Sequence, residues 1–149
     1  MLWFCYSQAI DPTGYPMRHL LALPFVCIAL IACATPPAPQ APSAPLALTL
    51  EPGASAAVVA GVTLRLDEVE DSRCPAGVQC IWAGELSGRF SLLRRGAVLD
   101  TFTLMPGDEG HTAASLAGAR LRLDDATLPA PVAPGATPNH RLTVKILPP

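Results

Sequence analysis

In VTLRLDEV, residues 62–69, a large apolar side chain stands at every second position: Val62, Leu64 and Leu66 would share one face, Thr63, Arg65 and Asp67 the other. Successive side chains of a strand point to opposite faces, so a two-residue period belongs to a strand with one face on a core and one in water. HRLTVKIL (140–147) repeats it, with Leu142, Val144 and Ile146 inward and Arg141, Thr143 and Lys145 outward. Around these two lie LALTL (46–50), SAAVVA (55–60), LSGRFSLL (86–93), VLDTFTLM (98–105) and ARLRLDDATL (119–128). Turn signals separate them: Arg94-Arg95-Gly96 at hairpin distance, and Pro106 to Gly110 between the next two. Regular short strands of this kind predict an all-β fold, a small antiparallel β-sandwich or barrel-like domain over residues 46–149. No helical period of comparable clarity occurs. The last connection, LPAPVAPGATPNH (128–140), is long and proline-rich, which predicts a mobile excursion before the closing strand.

The N-terminal third reads differently. Residues 1–16 contain Asp11 and two prolines but no basic residue, so they predict a mis-assigned start ahead of a true one at Met17. From Met17 a single arginine precedes an apolar run from Leu20 to Ala32, the layout of a secretory signal peptide over 17–32. The run is shorter than the roughly 20 apolar residues a membrane-crossing helix needs. It ends in Leu30-Ile31-Ala32-Cys33, which resembles the lipobox of bacterial lipoproteins. That resemblance implies cleavage before Cys33 and acylation of its thiol, with Ala34 in the following position favouring the outer membrane. Two or more acyl chains anchor a protein stably. Residues 33–45 would then be the acylated cysteine and a Pro/Ala-rich tether, a semi-rigid spacer reaching roughly 30 to 40 Å at about 3.1 Å per residue.

On that reading Cys5 and Cys27 leave with the leader and Cys33 carries lipid, so the exported domain keeps Cys74 and Cys80. An even pair in an oxidising compartment predicts a disulfide, contributing roughly 2 to 3 kcal/mol for so short a loop. Cys74-Pro75-Ala76-Gly77 has the residue order of a type I turn. Trp82 is expected in the core beside the disulfide. Gly84 is expected at a bulge or a close backbone approach before the strand near Leu86.

The run DSRCPAGVQCIWAGE (71–85), between VTLRLDEV and LSGRFSL, resembles a motif of uncharacterised secreted or lipid-anchored bacterial proteins: DSRCP, a few residues, then a cysteine and W-A-G. The resemblance supports the fold and carries no activity with it.

The chemistry-bearing residues favour no reaction. Cys74 and Cys80 lack the C-x2-C spacing of zinc sites and of thioredoxin-like catalysis, and His111 and His140 fall in separate loops. The acidic residues Asp67, Glu68, Glu70 and Asp71 offer the oxygen ligands calcium takes. On a regular strand Asp67 and Glu68 would point to opposite faces, so a solvated strand end capped by Asp71 is the preferred reading. Neither G-x-S-x-G nor H-E-x-x-H occurs, and nothing indicates that Asp71 and Glu85 converge. No catalytic residue, metal ligand or cofactor is therefore assigned. A formal charge of −2 and scattered arginines argue against nucleic acid. The expectation is a non-catalytic binding or structural module of the cell envelope, held to the membrane by lipid and facing the periplasm, with an envelope protein as its possible partner. Its candidate binding loop presents Arg73, Val78 and Gln79. One alternative is an inhibitor of an envelope hydrolase acting through the Cys74–Cys80 loop; another is a metal-binding or enzymatic β-domain. The loop could equally be no more than a staple between two strands.

Overall fold

A computed structural model describes residues 38–136 and 140–149. The expected start at Met17, the signal peptide over 17–32 and the acylation site Cys33 lie outside the described residues.

Among the described residues eight strands form: β1 (Leu46–Leu50), β2 (Ser55–Val59), β3 (Val62–Asp71), β4 (Leu86–Arg94), β5 (Ala97–Leu104), β6 (His111–Ala113), β7 (Ala119–Leu123) and β8 (Leu142–Leu147). They make two four-stranded antiparallel sheets, ordered β1-β8-β7-β6 and β2-β3-β4-β5. The domain is the expected sandwich-like all-β fold. Seven strands coincide with the alternating stretches. The eighth, β6, is three residues long, too short to show a period, and it places His111 in a strand and not in a loop.

The interior follows directly from the alternation. Val62, Leu64 and Leu66 of β3, Leu86, Phe90 and Leu92 of β4, Leu121 and Leu123 of β7, and Leu142, Val144 and Ile146 of β8 are all buried. Each such side chain contributes roughly 1.5 to 3 kcal/mol of transfer free energy. The Phe90 and Phe102 ring centroids lie 6.0 Å apart, and the Phe102 ring stacks on the His111 ring at 4.1 Å. His111 Nε2 is also 2.7 Å from Asp100 Oδ2, so one histidine ties edge strand β5 to edge strand β6 across the seam between the sheets.

One expectation fails in β3. Leu66 is paired with Phe90 and Glu68 with Arg89, so Asp67 is the extra residue of a β-bulge. The bulge re-phases the strand, and Asp67 and Glu68 both turn to the outer face, not to opposite ones. There Asp67 accepts hydrogen bonds from Arg65 Nε and Ser91 Oγ, while Glu68 pairs with Arg89 at 2.7 Å.

The registers sort the loops into two groups. Val62 opposite Arg94 and Arg94 opposite Ala97 mark one end of the second sheet; Asp71 opposite Leu86 and Gly88 opposite Leu104 mark the other. Residues 38–45, which lead into β1, border clefts with Val58 to Gly61, Arg94 and Arg95 at the first end, and Pro42 is buried there. The loops 72–85 and 105–110 and residues 124–136 gather at the second end.

Candidate functional site

The 72–85 loop leaves β3 and returns to β4 as a continuation of their ladder. Ser72 N–H donates to Glu85 O at 2.9 Å, Glu85 N–H donates to Ser72 Oγ at 3.0 Å, and Cys74 N–H donates to Ala83 O at 2.9 Å. This close pairing requires Gly84: its φ is +69°, and a Cβ there would lie 1.9 Å from Ser72 O. The expected close backbone approach is therefore present.

Farther out, Cys74 and Cys80 form the disulfide, with their Cα atoms 5.9 Å apart. The turn inside it sits one residue later than its residue order suggested. Val78 N–H donates to Pro75 O at 3.3 Å, and Gly77, at φ +80°, takes the third position. A positive φ there is the mark of a type II turn, which glycine satisfies without steric cost. The type I expectation is thereby corrected.

The base of the loop is held by Asp71 and Arg73. Arg73 donates from Nε to Asp71 Oδ1 at 2.8 Å and from Nη2 to Asp71 Oδ2 at 2.6 Å, and its backbone N–H also donates to Asp71 Oδ1. The hydrogen bond from Arg73 holds the Asp71 carboxyl below its usual pKa range, and Asp71 in turn raises the guanidinium. A third donor, Arg73 Nη1, reaches Pro129 O at 2.9 Å, and Ala76 N–H reaches Val132 O at 3.2 Å. The proline-rich segment is thus not a free excursion over 128–136: it is tied along the disulfide loop by two hydrogen bonds. Asp124, nearly buried, secures the near side of that segment. It caps the short turn Asp125–Thr127 through Ala126 N–H and accepts from Lys145 Nζ at 2.7 Å, which lowers its pKa.

Of the three residues expected to present the loop, Val78 and Gln79 are exposed, whereas the Arg73 guanidinium is committed to Asp71 and Pro129. Trp82 is not in the core. It is 67% exposed, and the neighbouring Ile81 is fully exposed. The reason is local: residues 81 and 82 lie in the bend between the disulfide and the Gly84 crossover, ahead of the first β4 position that faces inward, Leu86. The sequence signal available was the glycine two residues after the tryptophan, which marks a close backbone crossing and not a regular inward-facing strand position.

Beside this tip, Gly84, Glu85, Leu86, Met105, Pro106, Asp108 and Leu128 border a cleft of about 430 Å³, with Arg73 as its shared wall with a smaller one. Comparison of the chain with protein-family models, curated proteins and solved structures found no match. Among the described residues no three His, Cys, Asp or Glu side chains group as metal ligands. Asp67, Glu68 and Asp71 of β3 pair with Arg65, Arg89 and Arg73 respectively. What the arrangement offers chemically is a rigid apolar projection: Val78, Ile81 and Trp82 exposed on a loop whose base is fixed by a disulfide, a bidentate ion pair and backbone pairing.

Proposed function

We propose that the chain is a bacterial envelope lipoprotein, anchored through acylated Cys33, whose all-β domain is a non-catalytic binding module that docks an envelope protein through the Cys74–Cys80 loop. The observation that carries the reading is the exposure of Ile81 and Trp82 on a loop pinned at its base. Exposed large apolar side chains in contiguous array mark interaction sites, and tryptophan is prominent among residues that dominate binding energy. A loop already held in shape loses little conformational entropy when it docks. A hydrolase inhibitor uses the same features, with the loop entering the target's cleft, and is the sharper form of the same proposal.

The test is in-envelope crosslinking of the tagged full chain, with mass spectrometry of the captured partner and of the chain itself. Replacing Ile81 and Trp82 by alanine should change stability by no more than about 0.5 kcal/mol each, since neither is packed. It should weaken partner capture by roughly 30-fold or more, the effect of losing a binding hot spot of about 2 kcal/mol. Capture that survives both substitutions would overturn the loop's role, and a mature chain without lipid at Cys33 would overturn the anchoring.

A further inference from the structure

We infer that the end of the sandwich where residues 38–45 enter is a membrane-docking face, on which Arg94, Arg95 and Arg120 rest against anionic phospholipid headgroups and hold the disulfide loop outward. The inference rests on the reading of Cys33 as the lipid anchor.

Three observations carry it, beginning with position. Arg94 ends β4 opposite Val62 and Ala97, Arg95 forms the β4–β5 turn with Gly96, and Arg120 stands opposite Leu147. Ala38 and Gln40 of the entering segment border one cleft of about 380 Å³ together with Arg94 and Arg95, so the arginine pair flanks the path by which the chain arrives.

The second is charge. Residues 38–46, 58–63, 93–98, 117–120 and 146–149 make up this end, and they include no aspartate or glutamate. Among the described residues none of the three arginines makes an ion pair. The opposite end has the reverse balance: Arg73 and Arg141 are engaged by Asp71 and Glu51, while Glu85, Asp108, Glu109 and Asp125 have no ion-pair partner among the described residues. An anionic surface attracts the first end and repels the second, which orients the domain as well as binding it.

The third is reach. Because Pro42 is buried and residues 38–45 lie along the domain, the spacer is shorter than the composition of 33–45 suggests. Only five residue steps separate Cys33 from Ala38. Even fully extended at about 3.6 Å each they span roughly 18 Å. Attraction to headgroups decays over a screening length of about 8 to 10 Å, so even at full extension the arginine end stays within about two screening lengths of the surface, and at shorter spans it enters the field. Tethering makes the contact intramolecular, and a few charges then suffice. Arg95 itself occupies a left-handed conformation, φ +52°, where asparagine or glycine is less strained. An arginine held at the tip of that tight turn is oriented outward from the end of the sheet.

The experiment is hydrogen–deuterium exchange on the acylated protein purified from membranes and reconstituted in phosphatidylcholine vesicles with or without phosphatidylglycerol. With phosphatidylglycerol, peptides covering 92–98 and 117–121 should exchange several-fold more slowly, while 72–85 is unchanged. High salt should abolish the difference. The variant Arg94→Gln/Arg95→Asn/Arg120→Gln, in which Asn keeps the turn, should lose it with the fold intact by circular dichroism. Equal exchange on both vesicles, or protection of 72–85 in place of the arginine end, overturns the docking face. Intact mass of the same sample separates the two failures: lipid at Cys33 without protection removes this inference alone, and absence of lipid removes the anchor and the inference with it.

Discussion

Arg73 joins three parts of the molecule with one side chain: the end of β3 through Asp71, the disulfide loop through its own backbone, and the proline-rich segment through Pro129 O. Both partners of the ion pair are largely covered, with side chains 18% and 17% exposed, so screening by water is partial. Because folding lowers the Asp71 pKa, the pair's contribution is complete above the unfolded carboxylate value near 4 and is lost as pH falls through the folded-state value. Asp71→Asn should therefore cost about 1 to 2 kcal/mol at neutral pH, a bidentate charge-assisted contact being lost. The gap from the wild type should close on acidification. Denaturant unfolding of both proteins across the acid range checks this, and a gap constant to the lowest pH would exclude the carboxylate. Comparing variants removes the similar acid sensitivity expected of Asp124, which Lys145 stabilises.

At the scale of elements, the strands were readable because a two-residue period survives any arrangement of neighbours: β3 and β8 bury the very positions their patterns assign. What the sequence hides is set between strands. The bulge at Asp67 exists only because Phe90 and Arg89, consecutive in β4, face Leu66 and Glu68. Trp82 is kept out of the core by the bend ahead of Gly84, whose close approach to Ser72 is set by the pairing of β3 with β4 and is only hinted at by the glycine itself. That contact makes a prediction with an internal control. Gly77→Ala meets open space at φ +80° and should cost about 1 to 2 kcal/mol for the left-handed conformation alone. Gly84→Ala meets the Ser72 carbonyl as well and should cost about 1 to 3 kcal/mol more, as overpacked sites do, when thermal melts of the two are compared. Equal melting temperatures would show that the loop base yields freely.

Taken as a whole, the molecule places its core and its loop in separate hands. The two sheets share an interior that includes neither Cys74 nor Cys80, which lie outward of the last β3–β4 pair, Asp71 and Leu86. Reduction should lower stability by roughly 2 to 3 kcal/mol and leave the sandwich folded, because small domains hold about 5 to 15 kcal/mol. Unfolding curves with and without reductant, read by far-ultraviolet circular dichroism, decide it; collapse of the sheet signal on reduction would contradict the separation. The order of the strands has another consequence, one of time. Neighbours in sequence are neighbours in space all the way round, except that β1 waits for β8: Leu46 pairs with Ile146, a hundred residues downstream. The hairpins β2–β3, β3–β4 and β4–β5 can zip locally, yet the first strand has no hydrogen-bonded partner until the last is made. Such a long-range closure slows folding. A chain emerging N-terminus first therefore cannot close β1 into its sheet until β8 has been released.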